Sequence, residues 1–427
     1  MAQKKKLLWL RLDNAAKIYP AARRKHWSNI YRVSVTLTEP VDKDILQRAL
    51  DVTVERFPSI AARLRKGVFW YYLQQLEQAP KIRQEHSCPL TYMSPAEIRQ
   101  CAFRVIVYEN RIALELFHAL TDGTGAMIFL KSLTAEYLEQ KHGITIPAEK
   151  GVTDRQQSPM PEEVEDSFLK NAGTLAASRR ANDAWKIRGT RTANNFLHLT
   201  CLQLSAETLL TRAHEYGVTV TAFLGAAMLM ALQQLQQEFV PEPMKRKSLK
   251  VLLPVNLRRL FPSSTLRNFT MFIIPEIQPA LGEYSFPELC RLVHHKMGLE
   301  NNPKYMSTII AANVGNEQQL ALRLVPLFLK NIVMRAVFDA VGEKKSCLSL
   351  SNLGKIEIPA QMEPFVERFD FILSTQASAP YNCGVATYKG ITNINFIRNI
   401  REPLLEQAFF KVLQQLDIPV TVQSNGG

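Results

Sequence analysis

The chain reads as a mixed α/β protein of two similar-sized lobes, and three observations carry that reading. It has 427 residues, well past the roughly 250–300 at which one hydrophobic core usually stops growing. Strand-like stretches and stretches with a helical apolar period alternate through both halves. Between the halves, residues 144 to about 180 hold Pro147, Pro159 and Pro161 with the acidic run PEEVEDS, a composition suited to a crossover. The expected lobes are therefore about 1–180 and 181–427.

In the first lobe, NIYRVSVTL at 29–37 is rich in β-branched and aromatic residues and predicts a strand. The segment 41–60 repeats Ile45, Leu46, Ala49, Leu50 and Phe57 on a helical period and breaks at Pro58. AFRVIVYENRIALELF, 102–117, predicts a hairpin turning at Glu109–Asn110. After Gly125, one face collects Ile128, Phe129, Leu133, Tyr137 and Leu138 before Gly143, which predicts a helix with a glycine stop.

The second lobe opens with the strand NNFLHLTCLQL and the helix AETLLTRAHEYG. Next comes TVTAFLGAAMLMALQQLQQEF, a helix that Thr219 or Thr221 can cap. It is apolar nearly all round at its start, so it belongs between layers. SLKVLLPVNL, FTMFIIPEI, FDFILSTQ, CGVATYKG and ITNINFI are its further strands. Residues 320–341 are apolar but carry Arg323, Lys330 and Arg335, which predicts an amphipathic helix, packed or lying on a surface. The chain shows no internal repeat.

Composition narrows the function. Hydrophobic residues at 46% and charged residues at 21% describe an ordered globular protein. A net charge of +13 suits a polyanionic partner: a phosphate-bearing cofactor, an acidic carrier protein, an anionic membrane or nucleic acid. No zinc-finger, helix-turn-helix or RNA-binding signature accompanies it, so nucleic acid is not expected. Cys88, Cys101, Cys201, Cys290, Cys347 and Cys383 are scattered without a CxxC pair, as reduced thiols of a cytoplasmic protein would be. The apolar run near the start is broken by Arg11 and Asp13, too early for a secretory leader. No run reaches the roughly 18 apolar residues of a membrane span, which leaves peripheral contact with a membrane open. Neither GxxxxGK[ST] nor GxGxxG after a strand is present, and no ligand set has metal spacing. A bound cofactor or metal is not expected.

Chemistry concentrates in LELFHALTDGTGA, 114–126. An apolar strand ends on His118, and four residues later Asp122–Gly123 turns the chain into another apolar run. Imidazole titrates near neutral pH and can serve as a general base; a hydrogen-bonded core histidine is the alternative. Gly123 and Gly125 suit a tight turn and close backbone approach.

Phe117-His118-Ala119-Leu120-Thr121-Asp122-Gly123 resembles the HHxxxDG signature of the chloramphenicol acetyltransferase-like superfamily. That group includes alcohol acetyltransferases, wax ester synthases, plant BAHD acyltransferases and the condensation domains of peptide synthetases. Phe117 stands where many members carry the first histidine. Other stretches are similar to family landmarks and come in family order: ERFPSIAARL at 55–64, YGVTVTAFLGAAMLMAL, PVNLRRLFPSSTLRNF at 254–269 and SLSNLG at 349–354. In the third of these, Arg267 replaces the glycine that precedes the family's asparagine, here Asn268.

The resemblance implies a two-lobed fold of mixed sheets flanked by helices, with an active-site tunnel between the lobes and His118 at its midpoint. It implies His118 as general base, and Asp122 turned from the substrate to pair with an arginine, for which Arg258 is the candidate. Asn268, Ser351 and Asn352 are the candidates for oxyanion or substrate contacts. The activity implied is transfer of an acyl group, acetyl first, from acyl-CoA as co-substrate to a small or lipid-like alcohol. Two alternatives stand beside it. One is a condensation-like enzyme that makes an amide or takes its acyl group from an acyl carrier protein. The other is a catalytically silent binder of an acyl ligand, suggested by Phe117 and Arg267.

Overall fold

The computed structural model describes residues 7–24, 29–175, 182–318, 325–338, 343–376 and 378–425. In chain order the first half supplies β1 (Trp9–Arg11), α1 (Ile18–Ala22), β2 (Ile30–Leu37), α2 (Lys43–Arg56), β3 (Ala62–Lys66), β4 (Tyr71–Gln75) and β5 (Arg83–Gln84). After these come α3 (Pro95–Gln100), β6 (Phe103–Tyr108), β7 (Arg111–Phe117), α4 (Gly123–His142) and the short α5 (Ser167–Lys170). The second half supplies β8 (His198–Ser205), α6 (Ala206–Glu215), α7 (Val220–Phe239), β9 (Leu249–Asn256), β10 (Thr270–Ile273) and β11 (Glu276–Ile277). It continues with α8 (Phe286–Glu300), α9 (Pro303–Gln318), α10 (Leu327–Val337), β12 (Leu348–Lys355), β13 (Val366–Leu373), β14 (Tyr381–Tyr388), β15 (Ile391–Arg398), α11 (Leu404–Gln415) and β16 (Thr421–Ser424).

Two mixed sheets form the frame. One runs β13-β2-β7-β6-β5, and the other runs β10-β9-β12-β14-β15-β8-β16 with β11 alongside β9. A small sheet, β1-β4-β3, flanks the first. Most neighbours are antiparallel, while β5–β6, β12–β14 and β12–β9 run parallel. Strand β13 belongs to the second half of the chain yet pairs with β2, Phe369 opposite Val35. The lobes are thus not contiguous in sequence, because the second half returns one strand to the first sheet. Where the two sheets meet, a Cβ on Gly384 would stand 2.3 Å from the Phe371 carbonyl oxygen. Glycine is needed there for backbone approach.

The helices obey local rules. Asp42 caps α2 by accepting from the N–H groups of Asp44 and Ile45, and Thr219 caps α7 by accepting from Ala222. Helix α4 ends at Gly143 with φ 67°, the left-handed conformation that glycine adopts without a Cβ penalty. Helix α7, apolar nearly all round, is buried along most of its length within the second core. Of the helix expected over 320–341, residues 325–338 are described; α10 lies within them, and the rest lies outside the described residues. Phe328, Ile332 and Val333 on α10 are exposed.

Candidate functional site

Backbone pairing delivers the histidine. Ile30 on β2 faces Phe117 on β7, and the His118 N–H donates to the Asn29 carbonyl at 2.8 Å. The pairing therefore continues one residue past the end of β7. Phe117 is fully buried in the first lobe's core. A phenyl ring there needs no hydrogen-bond partner, which an imidazole would.

After His118 the chain turns with Leu120 N–H donating to the Phe117 carbonyl at 2.9 Å. The Tyr31 hydroxyl donates to the Thr121 carbonyl at 2.9 Å, and the Thr121 hydroxyl donates to the Leu266 carbonyl at 2.6 Å. Asp122 then caps α4: its Oδ1 accepts from Thr124 and Gly125 N–H, both at 3.1 Å. Its Oδ2 accepts from Arg258 Nη1 at 2.7 Å, from Phe269 N–H at 2.9 Å and from the Thr270 hydroxyl at 3.0 Å. Arg258 also donates to the Thr265 and Arg267 carbonyls. One carboxylate thus closes a helix N-terminus in the first half and fastens it to the 256–270 segment of the second. Burial alone would raise the Asp122 carboxyl, but the Arg258 charge and the N–H groups of Phe269 and Gly125 hold it below its ordinary value.

The glycines of the motif leave room that other parts of the chain occupy. A Cβ on Gly123 would lie 2.9 Å from Leu353 Cδ2, at the end of β12. On Gly125 it would lie 2.1 Å from Thr121 Oγ1 and 2.5 Å from the Leu266 carbonyl oxygen. Gly125→Ala should therefore displace backbone and break the Thr121–Leu266 bond. Its expected cost is about 2–3 kcal/mol, at the upper end of ordinary overpacking, read as the shift in chemical unfolding.

His118 is only partly buried. The Tyr19 ring, carried by α1, stacks on the imidazole at 4.5 Å between centroids and 20° between planes. Tyr31 meets it at 4.8 Å in a tilted arrangement. His118 Nδ1 lies 3.1 Å from Asn268 Oδ1. Burial pushes the imidazole below its ordinary pKa, while its own carbonyl, the Asp122 charge and Asn268 pull it back only in part. The ring is therefore neutral at neutral pH. With carbonyl oxygens at Nδ1, Nε2 is the nitrogen that can take a proton.

The other candidates are placed as follows. Asn268 turns its carbonyl to His118 and its amide nitrogen to Asp13 Oδ2 at 3.3 Å. Asn352 donates to Thr221 Oγ1 at 3.1 Å and accepts from Gly354 N–H at 2.8 Å. Ser351, on β12, makes no side-chain hydrogen bond among the described residues. Two surface pockets, of about 520 and 220 Å³, are lined by Pro20, Arg23, Tyr71 and Asn331 and by Lys150, Ile356 and Tyr388 respectively. Neither is lined by His118, so the expected tunnel is not one of them. Tyr19 covers one face of the ring, and its neighbour Pro20 lines the larger of these two pockets. Among the described residues, no group of three His, Cys, Asp or Glu side chains is placed to hold a metal.

Asp13, Tyr19 and Tyr31 at this site carry no signal in the sequence reading. The nearest would have been Leu12–Asp13–Asn14, an acidic turn that closes an apolar run just as Asp122–Gly123 does.

No known family's sequence pattern matches the chain, and no curated protein matches it. Solved structures do. The first condensation domain of the calcium-dependent antibiotic synthetase, in complex with a substrate analogue, is similar with a TM-score of 0.62 at 14% identity, covering 96% of each chain. Trichothecene 15-O-acetyltransferase of Fusarium sporotrichioides follows with a TM-score of 0.58 at 13% identity, covering 97% of this chain and 96% of the other. TRI101 of the same organism, solved with coenzyme A and T-2, gives 0.62 at 9% identity, covering 98% of this chain and all of the other, 100%. Together these neighbours define a class of two-lobed proteins with mixed sheets flanked by helices. The chain has the fold of the chloramphenicol acetyltransferase-like superfamily of CoA-dependent acyltransferases.

Proposed function

We propose that this chain transfers an acyl group, acetyl first, from a CoA thioester to an alcohol hydroxyl, with His118 as general base. The observation that carries the reading is the constellation around His118: a neutral imidazole with Nδ1 facing a carbonyl, at the end of a loop that Asp122 and Arg258 lock. His118 Nε2 takes the hydroxyl proton as the alcohol oxygen attacks the thioester carbonyl carbon. The tetrahedral intermediate collapses with loss of the C–S bond, and the imidazolium returns the proton to the departing thiolate, giving ester and free CoA. A neutral imidazole can take the hydroxyl proton, and the imidazolium so formed can return it. Ser351 is the first candidate donor to the oxyanion, since Asn268 and Asn352 are engaged elsewhere. The net charge of +13 supports a donor that carries phosphates. Six free cysteines among the described residues support a reducing, cytoplasmic setting.

A condensation domain among the neighbours supports a second donor, an acyl-loaded carrier protein. The test is release of free thiol from acetyl-CoA in the presence of a panel of short and lipid-like alcohols, with ester detected by mass spectrometry. Alcohol-dependent thiol release is the expected result. Turnover only with acyl-loaded carrier protein would move the donor, and amide from amine acceptors would move the acceptor. No turnover with any of these, in folded protein, would favour a silent acyl-ligand binder.

A further inference from the structure

Asn268 faces a carboxylate on one side and an imidazole on the other. Its amide oxygen and nitrogen are alike in shape, so the surrounding network decides which end points where. An ionised carboxylate can only accept. With Nδ2 donating to Asp13 Oδ2 at 3.3 Å, Oδ1 is left against His118 Nδ1 at 3.1 Å. A carbonyl there requires N–H on the ring. The reversed amide would set carbonyl against carboxylate and crowd an N–H against the proton on Nδ1.

Burial raises the Asp13 carboxyl above its ordinary value, while the Arg267 charge, the Ala16 N–H and the Asn268 amide oppose that rise and favour the ionised form. Asp13 is fully buried, and its Oδ1 accepts from Ala16 N–H at 2.7 Å. Arg267 Nη2 lies 3.6 Å from Oδ2. Arg267 itself is held by the carbonyls of Arg11 and Val164. The residue that departs from the family pattern thus gives Asp13 its counter-charge. Asp13 lies in the link between β1 and α1, and the same short segment brings Tyr19 onto the imidazole.

We propose that Asp13 is a positioning residue for His118: through the Asn268 amide it holds the imidazole in the tautomer with its proton on Nδ1, leaving Nε2 to accept one. The tautomer is a property of the free protein, whereas its use in turnover rests on the reading of His118 as general base. Arg267 supports Asp13 in this role, and the N-terminal segment fixes the base both by stacking and by this hydrogen-bonded chain.

Full-length protein labelled with ¹⁵N-histidine tests it by NMR, with the His118 signals assigned by their loss in His118→Ala. In the wild-type protein, neutral His118 should be protonated on Nδ1. Asp13→Asn gives the Asn268 amide a partner that also donates, frees it to reverse, and should shift the tautomer ratio about tenfold, the scale of one neutral hydrogen bond. Asn268→Ala serves as the second variant and should shift the ratio in the same direction, by less, since the His118 carbonyl still accepts. In the released-thiol assay both variants should lower kcat while KM for acetyl-CoA stays within about twofold, because neither residue is placed on the donor. Wild-type His118 protonated on Nε2, or a ratio unmoved in both folded variants, would overturn the proposal. His118→Ala with full turnover would instead remove the general-base reading and leave the tautomer result standing.

Discussion

His118→Ala should lose about 10²–10⁴-fold in kcat, the usual worth of a positioned general base, while the protein stays folded. The imidazole is partly exposed, with Tyr19 stacked on it and Tyr31 tilted against it, so its removal opens space near the surface and leaves no buried charge. Circular dichroism and the melting transition should therefore change little while thiol release from acetyl-CoA collapses. The pH profile adds a second check. Burial holds the His118 pKa below its ordinary value, so wild-type kcat should rise with pH below about 6.5 and be level at neutrality. That rise should vanish in the variant. Wild-type turnover in His118→Ala would mean that another group takes the proton.

Asp122→Asn should cost about 3–5 kcal/mol of stability, because it leaves Arg258 buried without its counter-charge, and activity should fall with it. The reason is geometric as well as electrostatic. Asp122 accepts from two N–H groups at the start of α4 and from Arg258, Phe269 and Thr270 across the interface. An amide at that position presents N–H to donors on one of its two sides. Arg258→Ala should cost a similar amount, and the double variant less than the sum of the singles, since the two share one interaction. Additive losses in urea unfolding would show that the residues are independent. The pH dependence has a definite sign. The folded carboxyl titrates below its unfolded value of about 3.9. The stability it contributes is present above that value and is lost as pH falls through the folded pKa. Asp122→Asn should flatten the acid limb of the stability curve.

Much of the motif was legible because its geometry is local. A strand ending, an acidic cap and a glycine turn follow from short-range sterics and hydrogen bonding. The hairpin turning at Glu109–Asn110 and the helix stopping at Gly143 were legible for the same reason. Arg258, 136 residues from Asp122, entered only through family resemblance, since no local rule links them. Asp13 and Tyr19 escaped entirely. Strand β1 has three residues and α1 five, too few for a period of two or 3.6 to register.

The sequence by itself determined the mixed α/β class, the positions of α2, α4, α6, α7 and most long strands, though not of α9 or α11, and the residue types that make an acyl-transfer site conceivable. Periodicity and capping act over a few residues and are written in the chain directly. Only the tertiary structure decided which sheet β13 joins, that Asn268 turns its carbonyl to His118, and that an N-terminal aspartate stands behind it. These depend on where distant segments meet, and an amide with two nearly identical ends has no orientation until a donor and an acceptor are brought to either side of it.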